Sequence, residues 1–546
     1  MVNLEAGTYS AVITPPYDGD RTMSFKSTLS TDVTGTLAAD KVQTLTLGRR
    51  GQNGRLSFAG TAGQTVALQV AAQATAPADR LTYYTVYKPD GAVLNSTSAG
   101  SNGTSATTLN LPNLPATGTY TVFVDPYQGE TLSTQLTLAT GTTSGQVTNG
   151  ASGSFATSIP QQNVYLTFTA TAGQNLGLAL SDLVTPNTTN YAYLTVYKSD
   201  GGAVASQLCY AANNGCQTNL VNLEAGTYSA VITPPYDGDR TMSFKSTLST
   251  DVTGTLAADK VQTLTLGRRG QNGRLSFAGT AGQTVALQVA AQATAPADRL
   301  TYYTVYKPDG AVLNSTYAGS NGTSATTLNL PNLPATGTYT VFVDPYQGET
   351  LSTQLTLATG TTSGQVTNGA SGSFATTVPG QNVYLTFTAT AGQNMGFALS
   401  NLVTPNSTNA VYFVVYRADG AGIASQNCYV SSGGCQVNLA NLDAGTYSVV
   451  ITPPYNGDQT MSFKSTLSTD VTGTLVADKV QTLTLGRRGQ NGRLSFAGTA
   501  GQTVALQVAG QTTVPAERTT YYTVYKPDGA HLNSVGATSE ATLERV

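Results

Sequence analysis

A long stretch of this chain is written twice. Residues Val2–Thr157 return as Val221–Thr376 with one change, Ser98 to Tyr317, and a third copy opens near Asn441. The period of 219 residues is far longer than the roughly 20–50 residues of a solenoid unit, so each period is expected to hold whole domains. A finer echo lies inside it. "LSFAGTAGQTVALQV" from Leu56 is echoed by "LTFTATAGQNLGLAL" from Leu166, and "TVYKPDG" at Thr85 by "TVYKSDG" at Thr195. Two diverged domain types, A and B, therefore alternate along the chain.

Each half-period reads as strands. Leu56 and Phe58, then Val66, Leu68 and Val70, fall at every second position, the spacing that turns one strand face to a core. Turn signals such as Ala62-Gly63-Gln64, Pro89-Asp90-Gly91 and Gln128-Gly129 separate the runs. About eight strands fit in each half-period of roughly 110 residues, and no stretch has helical periodicity. The expected fold is all-β, a tandem array of antiparallel, jelly-roll-like β-sandwich domains.

"FTATAGQNLGLAL", "LTVYKSDG" and "LEAGTYSAVITPPYDG" together resemble the bacterial pre-peptidase C-terminal domain and related β-sandwich repeats of secreted and cell-surface proteins, including some that precede RHS or YD-repeat regions. The shared motifs are the "TAGQ" turn, the "VYxxDG" hairpin and the "GTYxVxVxP" strand, recurring over nearly the whole chain. The resemblance implies an accessory, extracellular support or binding role and names no ligand.

The repeats place domains at 31–140 (A), 141–249 (B), 250–359 (A) and 360–468 (B). Residues 1–30 then read as the last two strands of a B domain, and 469–546 as an A domain that diverges after "YYTVYKPDGA". Both ends fall inside domains, which predicts a segment of a longer surface protein. A second expectation is head-to-tail self-association, in which the two partial ends complete one sheet in trans.

Residues able to do chemistry are few. The single histidine, His531, lies in the divergent tail, so no repeated imidazole base or His-containing zinc site is expected. No GxSxG elbow accompanies the many serines. These features point away from an enzyme. In "PPYDGD", Asp18 and Asp20, repeated as Asp237 and Asp239, could offer oxygens to Ca2+, but Ca2+ needs about 6–8 ligands. The third copy has Asn456 and Asp458 there. An Asp-Gly hairpin turn is the plainer reading, as it is for Asp90, Asp200 and Asp419. Apart from this weak calcium candidate, no cofactor is expected.

Tyrosines offer a ligand candidate. Tyr83 and Tyr87 share one strand face while Tyr84 and Val86 take the other, and Tyr193 with Tyr197 and Tyr412 with Tyr416 repeat the pattern. Such pairs could stack on sugar rings or pack against a neighbouring loop. The cysteines are more definite: Cys209 and Cys216 in "CYAANNGC", and Cys428 and Cys435 in "CYVSSGGC", each suit a disulfide across a hairpin. Disulfides predict an oxidising compartment, hence export.

Only 10% of residues are charged and the net charge is −3, so there is no basic field for nucleic acid. Apolar runs are too short for a membrane-spanning helix, and Met1–Gly7 lack the pattern of a signal peptide. The expected function is a semi-rigid extracellular stalk of an adhesin-like or RHS-type surface protein. The alternative is an array that binds glycan or matrix through its tyrosine faces.

Overall fold

The computed structural model describes residues 4–15, 22–100, 106–235, 240–319, 325–454 and 459–544. Among these the chain is all-β, with four short 3-10 turns and no α-helix. It divides into two compact units, one of Met1–Thr362 with Ala375–Val383 and Thr452–Thr460, the other of Ser363–Phe374, Tyr384–Ile451 and Met461–Val546.

In the first unit, nine strands cover residues 33–139: β1 (Val33–Thr36), β2 (Val42–Leu47), β3 (Gly54–Gly60), β4 (Val66–Ala76), β5 (Thr82–Tyr87), β6 (Val93–Ala99), β7 (Thr107–Leu111), β8 (Gly118–Pro126) and β9 (Thr131–Ala139). They form a five-stranded sheet, β1-β3-β8-β5-β6, and a four-stranded sheet, β2-β9-β4-β7. Only β1–β3 is a parallel pair. The alternating residues of both sheets meet in one buried cluster: Leu56 and Phe58 from β3, Val66, Leu68 and Val70 from β4, Tyr84 and Val86 from β5, Leu136 and Leu138 from β9. Period-2 patterning thus becomes core because each strand hides every second side chain. Residues 252–358 form the same two sheet orders around an equivalent cluster.

The intervening stretch contributes β10 (Ser144–Gln146), β11 (Ser152–Ala156), β12 (Val164–Ala170), β13 (Gln174–Val184), β14 (Tyr191–Lys198), β15 (Ala203–Tyr210), β16 (Gly215–Leu223), β17 (Gly226–Thr233) and β18 (Ser243–Thr250). Here the ladder runs continuously, β10-β12-β17-β14-β15-β16-β13-β18-β11, because Tyr210 pairs with Gly215 across the β15–β16 turn.

The "GTY" motif has a clear physical job. Tyr120 stacks on Phe58 at 5.2 Å, and its hydroxyl donates to the Ala116 carbonyl at 2.7 Å. Tyr228 repeats this on Phe168 and Glu224. The phenol pins the chain that enters the strand while its ring fills the core, an arrangement that satisfies a buried polar group without breaking the apolar layer.

The two ends depart from the strand pattern expected of them. Residues 4–15 and 22–30 contain no strand. In the later copy the same sequence, β17, is held between β12 and β14. In the second unit, Ser363–Gln365, Val383–Ala389, Gly445–Thr452, Ala410–Tyr416 and Gly422–Tyr429 form a five-stranded sheet beside one of four strands. Residues 471–544 form only two-stranded sheets. Leu485, at the position of the buried Leu47, is 42% exposed there. In the first copy Val42 and Leu47 belong to a strand paired with β9, whereas residues 480–485 lie in no strand.

Candidate functional site

The tyrosine pairs stand on the outer face of their strands. Tyr83, Tyr193 and Tyr412 are exposed and Tyr87, Tyr197 and Tyr416 half-buried, while Tyr84, Leu194 and Phe413 between them are in the core. Asp18, Asp20, Asp237 and Asp239, with Asn456 and Asp458, lie outside the described residues. Asp90 makes the turn its sequence suggests, accepting from the Ala92 amide at 2.9 Å. Asp200 and Asp419 accept likewise from Gly202 and Ala421. Among the described residues no cluster of His, Cys, Asp and Glu could hold a metal ion, and no helix is long and apolar enough to cross a membrane. His531 lies beside Tyr525, edge-on, at 6.5 Å between rings.

Cys209 is bonded to Cys216, with Cα atoms 4.8 Å apart, and Cys428 to Cys435, at 5.0 Å. Each bridge ties the end of one strand to the start of the next, β15 to β16 in the first pair. The turn between them needs left-handed backbone: Asn214 has φ 59° and Gly433 φ 67°. Both sulfurs of the first bridge are buried within the core of residues 147–248.

The most elaborate polar arrangement sits where β13 and β16 meet the residues that follow Thr250. Gly177 faces outward from β13, and the Gly270 carbonyl lies so close that a Cβ at Gly177 would collide with it. Around this contact Gln217 Nε2 donates to Asp344 Oδ1 at 2.5 Å and Asn219 Nδ2 to Asp344 Oδ2 at 3.0 Å. Asn272 Nδ2 donates to Asn219 Oδ1 at 2.9 Å and to Asp251 Oδ1 at 3.2 Å. Arg274 Nε reaches Asp251 Oδ2 at 2.5 Å, with its guanidinium over the Phe342 ring. The first copy has the same residues without a B-type face on them. There the Asp32–Arg55 pair is 25% and 33% exposed by side chain, against 3% and 18% for Asp251 and Arg274. One sequence thus occupies two environments, and packing alone makes the difference.

The other kind of joint is apolar at its centre. Ala67 of β4 and Ala139 of β9 close around Ile159, and Ala286 and Ala358 around Val378. Hydrogen bonds flank it: Thr108 Oγ1 donates to the Pro160 carbonyl at 2.8 Å, Asn110 Nδ2 to the Gln161 carbonyl at 3.0 Å, and the Asn163 amide to Asn110 Oδ1 at 2.9 Å.

Burial pushes the Asp344 carboxyl up to about 6, the neighbouring Asp251 carboxylate adds to the rise, and the Asn219 donor and the Arg274 charge oppose it. The folded value lies above the ordinary 3.8. Its contribution to stability is therefore fully present below about pH 4 and is lost as pH rises through about 6. The full swing is on the order of 3 kcal/mol. Thermal unfolding should show the contact between β13–β16 and residues 250–359 weaker at neutral than at mildly acid pH, and Asp344→Asn should abolish that dependence. A steeper slope in the variant would contradict this assignment.

Beside this joint, an open groove of about 430 Å³ runs between β14–β15 and the turn Tyr346–Gly348. Tyr193 lines it with Tyr210 and Tyr346. Tyr197 is not part of it, nor are the tyrosines of the other pairs. Tyr210 and Tyr346 have no distinguishing sequence signal, since their meeting depends on the packing of segments far apart in the chain.

No protein-family model matches the chain, and no curated protein matches it. Among solved structures, the CUB1-EGF-CUB2 domains of rat MASP-1 align over 38% of this chain and 99% of that one, at 11% identity and a TM-score of 0.14. The M60 catalytic domain with the CBM51-1 and CBM51-2 domains of Clostridium perfringens ZmpB aligns over 71% of this chain and 52% of that one, at 8% identity and a TM-score of 0.13. Likenesses this slight carry no argument about fold or function.

Proposed function

We propose that the chain is a non-catalytic structural array, a semi-rigid spacer in an exported surface protein of the kind that the pre-peptidase C-terminal resemblance suggests. In this reading each block of nine strands is one β-sandwich module, its two sheets joined into one ladder in 141–249, with A modules at 31–140 and 250–359, B modules at 141–249 and 360–468, and partial ones at 1–30 and 469–546. Mostly antiparallel pairing within each block favours separate sandwiches over a continuous solenoid, whose successive coils pair in parallel. Export rests on the two disulfides, which an oxidising compartment sustains.

The observation that carries the spacer reading is the pair of interlocked joints on either side of residues 141–249. One is centred on Ile159, the other on the Gly177–Gly270 contact. A tether needs only a linker. A spacer needs joints that resist bending, and a buried polar network fixes relative orientation more strictly than apolar contact alone.

Limited trypsin digestion of the whole chain tests it. The sequence Arg-Arg-Gly-Gln occurs at Arg49–Gln52 and again at Arg268–Gln271; Gly51 is exposed and Gly270 buried. The Arg50–Gly51 bond should be cut early and the Arg269–Gly270 bond should resist. Equal cutting at both sites would mean an open joint and no spacer. Export is tested separately by cell fractionation, where recovery in the cytosol with reduced thiols would overturn it.

A further inference from the structure

We infer that the groove between β14–β15 and the Tyr346–Gly348 turn is a binding site for a neutral oligosaccharide. Three tyrosines reach it from two separate stretches of chain, Tyr193 and Tyr210 from one and Tyr346 from the other. Leu208 adds an apolar side chain, while Asn213 and Gln347 add amides that both donate and accept. No carboxylate, lysine, arginine or histidine lines it. Rings that offer flat apolar faces, with amides and phenol hydroxyls beside them, match a pyranose, which has an apolar C–H face and a rim of hydroxyls. An anionic glycan would find no cation in the lining, the nearby Arg299 being placed over the Tyr346 ring, and an apolar ligand would strand the amides.

The rings are held before any ligand arrives. Tyr210 meets Tyr191 edge-on at 5.6 Å between centroids and directly follows Cys209, whose bridge to Cys216 fixes the end of β15. Tyr346 has the Arg299 guanidinium over its ring at 6.0 Å. Gln347 sits at φ 54°, a left-handed conformation that few side chains adopt and that sets where its amide projects. Tyr193 and Tyr210 remain 43% and 39% exposed, so their surface is open to a partner. Fixed, exposed aromatic rings lose little conformational freedom on binding.

The site depends on the closed joint of the spacer reading, because Tyr346 comes from the segment docked on β13 and β16. A groove of this composition therefore exists where an A-type turn follows a B-type face. Tyr127, the first-copy counterpart of Tyr346, is a built-in control: its turn has the same sequence and lies outside the groove.

The experiment is titration calorimetry of the whole chain with a panel of neutral α- and β-linked gluco-, manno-, xylo- and chito-oligosaccharides, with sialylated and sulfated glycans as charged probes. Saturable binding of at least one neutral oligosaccharide is expected. Tyr210→Ala and Tyr346→Ala should each weaken it about tenfold or more, and Tyr127→Ala should leave it unchanged. Trypsin resistance at Arg269–Gly270 is read on every variant, so that loss of binding with the joint closed is separated from an opened joint. Tyr193→Phe, which keeps the ring, guards against a variant that fails to fold and should bind within a few-fold of the parent. No saturable binding across the neutral panel, a preference for the charged glycans, or equal loss in Tyr127→Ala would overturn the assignment.

Discussion

Gly177→Leu should open the joint between residues 141–249 and 250–359 while leaving both folded. Gly177 points away from the core side chains Leu176 and Leu178, and the space beyond its Cα is filled by the Gly270 backbone carbonyl. A backbone atom cannot rotate aside as a side chain would. Gly270 itself is wedged against Ala179, so the following segment must move as a body. Overpacking ordinarily costs about 1–3 kcal/mol. A four-carbon side chain against main chain should exceed that range and strand Asp344, Gln217 and Asn219 with broken hydrogen bonds. The readout is trypsin cleavage at Arg269–Gly270 rising to the rate at Arg50–Gly51, with amide exchange in β12 and β17 unchanged. An unaltered digestion pattern would refute the close contact, and general loss of protection would show that Gly177 serves the B-type fold instead. Gly396, whose neighbour is Gly489, should respond in the same way.

Removing the Cys209–Cys216 bridge should destabilise residues 141–249 by about 2–4 kcal/mol. The bond spans a sequence separation of 7, joins β15 to β16, and closes the turn through which the continuous ladder passes. Cys209→Ser with Cys216→Ser would also leave two hydroxyls among apolar neighbours, so the alanine pair is the cleaner comparison. Denaturant unfolding followed by exchange mass spectrometry should show a lower midpoint for peptides of β12–β18. Peptides from 33–139 serve as the reference, because that segment contains no cysteine. Coincident midpoints with and without the bridge would mean that it adds nothing to the folded state.

Much of the fold was legible because strand burial is a local property of sequence. Leu56, Phe58, Val66, Leu68 and Val70 announce their core face by spacing alone, and all five are buried. The cysteine spacing announced its own pairing in the same way. What the joints do was not legible. Asp344 stands in "VFVDPYQG", which occurs twice, and nothing local says that one copy is capped by Gln217 and Asn219. Gly177 reads as an ordinary strand glycine until the chain brings Gly270 onto it. The tyrosine alternation identified the outer faces correctly, yet the groove takes one residue from those pairs and two from elsewhere. The unpaired segments 4–15 and 22–30 make the same point from the other side. A strand-like sequence becomes a strand only when a neighbour completes its ladder.

Ala67 and Gly177 occupy the same place in the two related motifs, "TAGQTVALQV" and "TAGQNLGLAL". One methyl group separates them, and it decides which partner each face accepts: Ala67 closes on Ile159, whereas Gly177 leaves room for a backbone carbonyl. This constrains how the gene can change length. Unequal recombination between near-identical copies adds or deletes whole periods, and each such event keeps every alanine face opposite its aliphatic partner and every glycine face opposite its carbonyl. Loss of a single half-period would bring two mismatched faces together, with a methyl group where the carbonyl must sit. On the proposed reading of the chain as alternating A and B modules, a change of one whole period preserves both kinds of contact and a change of half a period does not.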